Sequence, residues 1–258
     1  MQAVRILSEL KVREEEVAGA SRKPPISYVP AMEPLLVVIA DSNQPEALKV
    51  LATVGVARIA DHADILTAEL KYRAADVLTK ELANPDNMWW YQMRLAEAAA
   101  AIELEIDRSG NPIVVDSLLT VIADGNRHCM ARTAAAKALG RTPIMAGKFD
   151  EKAAADRIVQ LARDMSLAYN KRPDDVQWYH CYLNLQLTFK PNAGEDPAGL
   201  PQNSLIRRGS LPAPLDNAEQ RIVPLAKHVL NQPVGKKHKP IPGEMIQRLT
   251  ELLAVAGS

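Results

Sequence analysis

The chain has 258 residues, with 31 basic and 31 acidic side chains, 47% hydrophobic content and only 4% aromatic residues. That is enough for one large domain or two modest ones. Zero net charge excludes a chain-wide polyanion-binding surface and leaves room only for a local patch. Few aromatics, with Ala and Leu filling the periodic segments, suit closely packed helices and disfavour a β-sandwich.

Residues 3–18 read as a lone amphipathic helix carrying Glu14-Glu15-Glu16, followed by a Pro24-Pro25 linker, so residues 1–29 form an N-terminal segment. No basic region followed by an apolar core opens the chain, as a secretory signal would require. The longest apolar run, Leu35 to Ala40, stops at Asp41, far short of the roughly 20 residues of a membrane helix. The two cysteines, Cys129 and Cys181, are too few for a disulfide framework. A soluble, cytoplasmic protein with no membrane partner is the expectation.

Sliding the sequence against itself reveals repeats, the first thing to look for in a chain of this kind. Leu35-Leu36-Val37-Val38-Ile39-Ala40-Asp41-Ser42-Asn43 returns 83 residues later as Leu118-Leu119-Thr120-Val121-Ile122-Ala123-Asp124-Gly125-Asn126. At the same offset Lys49, Ala52 and Val56 face Arg132, Ala135 and Leu139. A second pair interleaves at an offset of 88, matching Pro85-Asp86-Asn87-Met88-Trp89-Trp90-Tyr91 to Pro173-Asp174-Asp175-Val176-Gln177-Trp178-Tyr179. Two interleaved pairs make four units, each about 40 residues long, the length of a helical hairpin repeat.

The first unit spans about 30–60 with its turn at 41–45, and the second about 64–107 with its turn at 84–87. In the third, Asn111-Pro112 starts a helix that Asp124-Gly125-Asn126 breaks. A second helix then runs to Leu139, with Ala131, Ala135 and Leu139 along one stripe, and Gly140 and Pro143 ending it. The fourth begins near the cap-like Phe149-Asp150-Glu151-Lys152 and turns at 170–175. Residues 191–216 break the periodicity, and 217–230 and 242–256 resume it as two further helices that cap or extend the stack. One hairpin of this size cannot bury its apolar face alone, whereas stacked hairpins share a core.

The segment from Leu118 to Gly140, with Asp124 in the turn and Ala131-Arg132-Thr133-Ala134-Ala135-Ala136-Lys137-Ala138-Leu139 in the second helix, resembles a HEAT repeat. The resemblance covers roughly residues 30–190. It implies an all-α fold, a right-handed α-solenoid of about four HEAT-like hairpins with an N-terminal helix and a C-terminal helical cap over residues 191–258. In that family a turn Asp and a basic residue early in the second helix commonly form a ladder between units. Asp41 with Lys49 and Asp124 with Arg132 match it, whereas the second unit has Asn84 and Arg94, with Glu97 at a small apolar position, and the fourth has Tyr182 in place of Arg94.

Among chemistry-bearing residues, His128-Cys129 and His180-Cys181 suggest a metal, but adjacent helical residues diverge by about 100°, so buried Cys beside partly exposed His is the favoured reading. The clusters Trp89-Trp90-Tyr91 and Trp178-Tyr179-Tyr182 hold six of the eleven aromatic residues. Equivalence across the repeat favours packing between hairpins for Trp90, Trp178, Tyr91 and Tyr179, while Trp89, opposite Gln177, is the exposed contact. Lys49, Arg94 and Arg132 serve either the ladder, which is favoured, or a groove for acidic ligands. Arg207-Arg208-Gly209-Ser210 has the form of a kinase site that loops carry by chance, and Lys236-Lys237-His238-Lys239 reads as a solvated turn.

No P-loop, dinucleotide fingerprint, His-Glu-x-x-His or Gly-x-Ser-x-Gly pattern is present. The resemblance and the residues together imply a non-catalytic protein-interaction scaffold or adaptor. Its helical-repeat surface would bind a protein or peptide segment through Trp89, Arg94, Arg132 and Tyr182, with no cofactor or metal. The alternative is a HEAT-like enzyme of the DNA glycosylase or bilin lyase type. A glycosylase needs a basic groove to neutralise phosphates, and the zero net charge argues against nucleic acid.

Overall fold

A computed structural model describes residues 1–13, 16–18, 21–23, 26–61, 66–193, 195, 199–207, 210–232 and 237–256. Glu14-Glu15, Pro24-Pro25, the expected start of the second hairpin at Asp64, Arg208-Gly209 and Lys236 lie outside the described residues. Helices build the body, and no described helix is long and apolar enough to cross a membrane. The chain divides into two compact units, Met1–Val114 and Val115–Ser258, a boundary that falls inside the 30–190 repeat region.

The first unit opens with α1 (Gln2–Glu9), which is shorter than the helix expected over 3–18. Its buried residues are Val4 and Ser8. Leu10 turns extended and its carbonyl accepts from the Tyr28 amide at 3.0 Å. Four short strands follow: β1 (Lys11–Arg13), β2 (Glu16–Ala18), β3 (Ser21–Lys23) and β4 (Ile26–Ser27). β1 pairs with β4 and β2 with β3, both antiparallel, with Glu16 opposite Lys23 in the register.

Two helical hairpins complete this unit. The first is α2 (Met32–Ala40) and α3 (Glu46–Ala60); the second is α4 (Ala68–Ala83) and α5 (Trp89–Ala101). Thr67 caps α4 by accepting from the Leu70 amide at 3.3 Å. Within each hairpin the helices pack together; between hairpins α2 meets α4 and α3 meets α5. Leu35, Leu36, Ile39, Ala52, Val56, Leu78, Leu82 and Leu95 are fully buried in the resulting core. α1 lies along α3, and the contact depends on Gly55: a Cβ there would stand 2.5 Å from Ser8 Cβ and 2.8 Å from Leu35 Cδ1. Arg58 then closes the end of α1 by donating Nη1 to the Ser8 carbonyl at 3.0 Å.

The second unit takes up most of α6 (Ile113–Ala123) and continues with α7 (Cys129–Arg141), α8 (Glu151–Lys171), α9 (Gln177–Gln186), α10 (Ala213–Leu230) and α11 (Gly243–Ala256). Asp150 caps α8 as its sequence suggests, accepting from the Ala153 amide at 2.9 Å. α7 packs on α8 and α9, α10 covers α8 and α9, and α11 covers α8. Gly140 does not end its helix: α7 runs on to Arg141 and terminates at an extended Thr142. What Gly140 provides is approach, since a Cβ there would sit 2.2 Å from the Thr188 carbonyl oxygen just past α9. Arg141 fixes the same crossing, donating to Leu187 O at 2.7 Å and to both carboxylate oxygens of Glu195 at 2.9 and 2.6 Å.

Both glycines are therefore packing residues, and Gly55→Ala and Gly140→Ala should each destabilise the protein by about 1–3 kcal/mol in urea unfolding. The Gly140 variant should be the worse of the two, because its clash is with backbone. A gain in stability for either, as expected from helix propensity alone, would refute the close-approach account.

Candidate functional site

Three of the four inter-helix turns are built alike, and this places the start of each second helix. In the first, the Asn43 amide donates to Asp41 Oδ1 at 2.9 Å; in the second, the Asp86 amide donates to Asn84 Oδ1 at 3.1 Å; in the third, the Asn126 amide donates to Asp124 Oδ1 at 3.0 Å. These local side-chain-to-backbone bonds are what Asp and Asn contribute to turns. They also hold the Asp41 and Asp124 carboxyls below the usual carboxylate range. Four residues after the turn acid or amide, Pro45, Met88 and His128 are all extended, with φ of −58°, −57° and −59°. The helix follows at once.

Because the three entries match, the same positions on α3, α5 and α7 point inward. Ala52, Leu95 and Ala135 are equivalent and buried, as are Val56, Ala99 and Leu139. One further equivalent position is polar in all three helices and still buried: Lys49, Gln92 and Arg132 are 8%, 3% and 6% exposed. Each reaches a group at the end of a first helix or in the turn. Gln92 donates Nε2 to Pro85 O at 3.1 Å and Asn87 O at 2.6 Å; Arg132 donates Nε to Ile122 O at 2.9 Å; Lys49 pairs with Glu81 Oε2 at 3.0 Å. The direct bonds of these side chains therefore go elsewhere than to the turn acids, whose charges they still feel. Asp124 pairs with Arg127 at 3.1 Å, Gln44 donates to Asp41 Oδ2 at 2.8 Å, and the second-hairpin equivalent of Lys49 and Arg132 is Gln92 rather than Arg94.

The four residues expected to meet a partner divide between the units. In the first, Trp89 is 37% exposed beside Met88 at 50%, and Arg94 stands on the surface with Nη1 2.7 Å from Glu97 Oε2. In the second, Arg132 and Tyr182 are interior residues. Burial draws the Arg132 pKa down while Asp164 and Asp124 oppose the shift. Tyr182 is fully buried, with its ring edge-on to Tyr169 at 5.9 Å and its hydroxyl 3.3 Å from Ser166 Oγ; burial pushes its pKa up. Neither offers a surface to a partner.

The fourth turn explains why the aromatic pairing misplaces side chains. Val176, at the entry to α9, is helical with φ −60° and ψ −23°, whereas the corresponding Met88 is extended with ψ 142°. The change of entry rotates α9 by one residue relative to the sequence alignment. Tyr91 is consequently fully buried while Tyr179 is 53% exposed, and Trp178 takes the inward place, donating Nε1 to Arg172 O at 2.7 Å. Trp90 is half-buried.

Beside this entry lies a feature the sequence did not announce. A cleft of about 750 Å³ lies between Asp174–His180 at the start of α9, Val229 and Leu230 at the end of α10, and Lys237 and His238. Val176, 85% exposed, and Tyr179 stand on it. The described part of the 236–239 cluster is held in place rather than simply solvated. The His238 amide donates to Asp174 Oδ1 at 2.9 Å, and Tyr169 donates its hydroxyl to Lys239 O at 3.2 Å. Of the kinase-like sequence, Arg207 donates Nη1 to Leu200 O at 2.6 Å.

Both His-Cys dipeptides also lie in the second unit. His128 caps α7, its Nδ1 accepting from the Met130 amide at 3.2 Å, and burial lowers its pKa. His180 packs edge-on against Tyr179 at 5.6 Å. Cys129 and Cys181 meet, with their sulfur atoms 3.2 Å apart. Among the described residues no group of three or more His, Cys, Asp or Glu is arranged to hold a metal ion. No family model, curated protein or solved structure matches the chain.

The polar position on the second helices carries a direct test. Glu81 accepts from Lys49 and, at 3.2 Å, from the Tyr91 hydroxyl, which burial and the Glu81 charge hold protonated far above its usual range. Glu81→Ala should cost about 1.5–3 kcal/mol, because a buried ammonium and a buried hydroxyl lose their acceptor. Adding Lys49→Met should recover much of that loss. Chemical denaturation measures both; additive losses in the double variant would contradict the assignment.

Proposed function

We propose that the hairpins are HEAT-like repeats of a right-handed α-solenoid, and that the protein is a non-catalytic cytoplasmic scaffold that holds a protein segment. Support for the repeat reading comes from the first unit, where first helices pack on first helices and second on second. The shared turn geometry of three hairpins adds to it. A rigid stack of this kind binds by display: exposed aromatic anchors supply affinity and the charges around them set orientation.

The observation that carries the binding role is the cleft at the start of α9. Val176 and Tyr179 are large apolar side chains left 85% and 53% exposed next to a concavity of about 750 Å³. Exposed apolar side chains gathered at a concave surface mark interaction sites rather than chance surface residues. Asp174, Asp175 and Lys237 give the cleft charges of both signs, which suits the mixed backbone and side-chain groups of a peptide better than a polyanion. On the first unit Met88 and Trp89 are also exposed at the entry to α5, and Arg94 stands on that helix's surface.

Replacing Val176 with Asp and Tyr179 with Ala together should remove the specific partner from an affinity purification. The effect should amount to about 2 kcal/mol or more of binding energy, roughly 30-fold in affinity, while the circular dichroism spectrum and Tm stay those of the native chain. A capture profile indistinguishable from the parent's would defeat the proposal.

A further inference from the structure

The two cysteines are 52 positions apart in sequence, and in the fold their free thiols are hydrogen-bonded to each other. Cys129 is the first residue of α7, partly exposed; Cys181 is on α9 and fully buried. The two helices pack against one another, so the sulfur atoms are presented by rigid elements rather than by loops. The Cys181 thiol donates to Cys129 Sγ at 3.2 Å, and the Cys129 thiol donates to Gln177 Oε1 at 3.4 Å. Gln177 is itself oriented by donating Nε2 to Asp175 Oδ2 at 2.9 Å. Reaching the ~2.05 Å of a disulfide requires about 1 Å of movement.

We propose that Cys129 and Cys181 form a redox-active dithiol that exchanges with low-molecular-weight disulfides, Cys129 attacking and Cys181 resolving. The asymmetry of the pair assigns the roles. Cys129 sits at a helix N-terminus, where the free amide N–H groups favour a thiolate. It is also the acceptor of the Cys181 S–H, which lowers its pKa, whereas donation to Cys129 and burial raise that of Cys181. Only Cys129 has a path to solvent.

The chemistry balances in two exchanges. The Cys129 thiolate attacks one sulfur of the small disulfide, whose S–S bond breaks as the Cys129–S bond forms, and one thiolate leaves and takes up the proton Cys129 gave up. Cys181 then loses its proton and attacks Cys129 Sγ, expelling the second small thiolate, which takes up that proton. The protein dithiol is oxidised by two electrons and the small disulfide is reduced to two thiols. The product bridge ties the start of α7 to α9.

The test uses the full reduced chain and glutathione disulfide without oxygen, followed by acid quench, iodoacetamide labelling and peptide mass spectrometry. Before treatment both cysteines should be alkylated; afterwards neither should be, with the Cys129 and Cys181 peptides joined within one chain, and dithiothreitol should reverse this. The variant C181S should hold one glutathione on Cys129, while C129S should react more slowly by about tenfold or more. The proposal is overturned if, in the native chain, both thiols stay alkylatable, if each carries glutathione, or if the bridge forms only between chains. The native-chain peptide map decides this even if a variant fails to fold.

Discussion

A helix that ends inside a stack of helices leaves its last carbonyls facing a dry interior, and the architecture of this chain turns on how those groups are met. At one equivalent position of the second helix, a polar side chain meets turn or first-helix carbonyls in the second and third hairpins, and in the first it holds an ion pair instead. Gln92 reaches two turn carbonyls, Arg132 reaches the carbonyl of Ile122, and Lys49 reaches the carboxylate of Glu81 at the end of α4. Around that position the same faces carry Ala, Leu, Val and Thr, so the polar group is enclosed rather than solvated. In the fourth hairpin, where the entry to the second helix differs, the Trp178 indole N–H reaching Arg172 O performs the same task.

This constraint links the turn to the core and the core to the surface. The Asx turns at Asp41, Asn84 and Asp124 fix where a second helix begins, and the starting point sets which faces point inward. A helical rather than extended residue at Val176 turns α9 by one position, buries Trp178 and Tyr182, and leaves Val176 and Tyr179 outside on the cleft. The same phase brings Cys181 against Cys129. The cleft and the cysteine pair thus both accompany one change of backbone conformation at a helix entry.

Much of the helical framework was legible in the sequence because local patterns encode it: the recurrence of Leu35 in Leu118 marks two first helices that are buried alike, and the turn and cap residues stand where helices begin. Other features depend on partners far along the chain. The helix expected over 3–18 stops at Glu9, where Leu10 turns extended and its carbonyl accepts from the distant Tyr28 amide. A turn Asp bonds first within its own turn, so Asp41 and Asp124 feel Lys49 and Arg132 electrostatically rather than through the direct pairs of a ladder. The pairing of Glu81 with Lys49, of Glu195 with Arg141 and of the two cysteines joins residues 32 to 54 positions apart, which a single sequence does not connect. Tyr182 is interior for a further reason: Val176 and Met88 align in sequence but enter their helices with different backbone conformations.

The buried tie at the second helix is tested most directly by the stability of Arg132→Met measured in urea. The account predicts a loss of about 1–3 kcal/mol, the cost of leaving a buried carbonyl unpaired, although Met keeps the helix propensity and much of the volume of Arg. Unchanged stability would show that the Ile122 carbonyl does not need Arg132, and would contradict the constraint from which the rest of the structure has been explained.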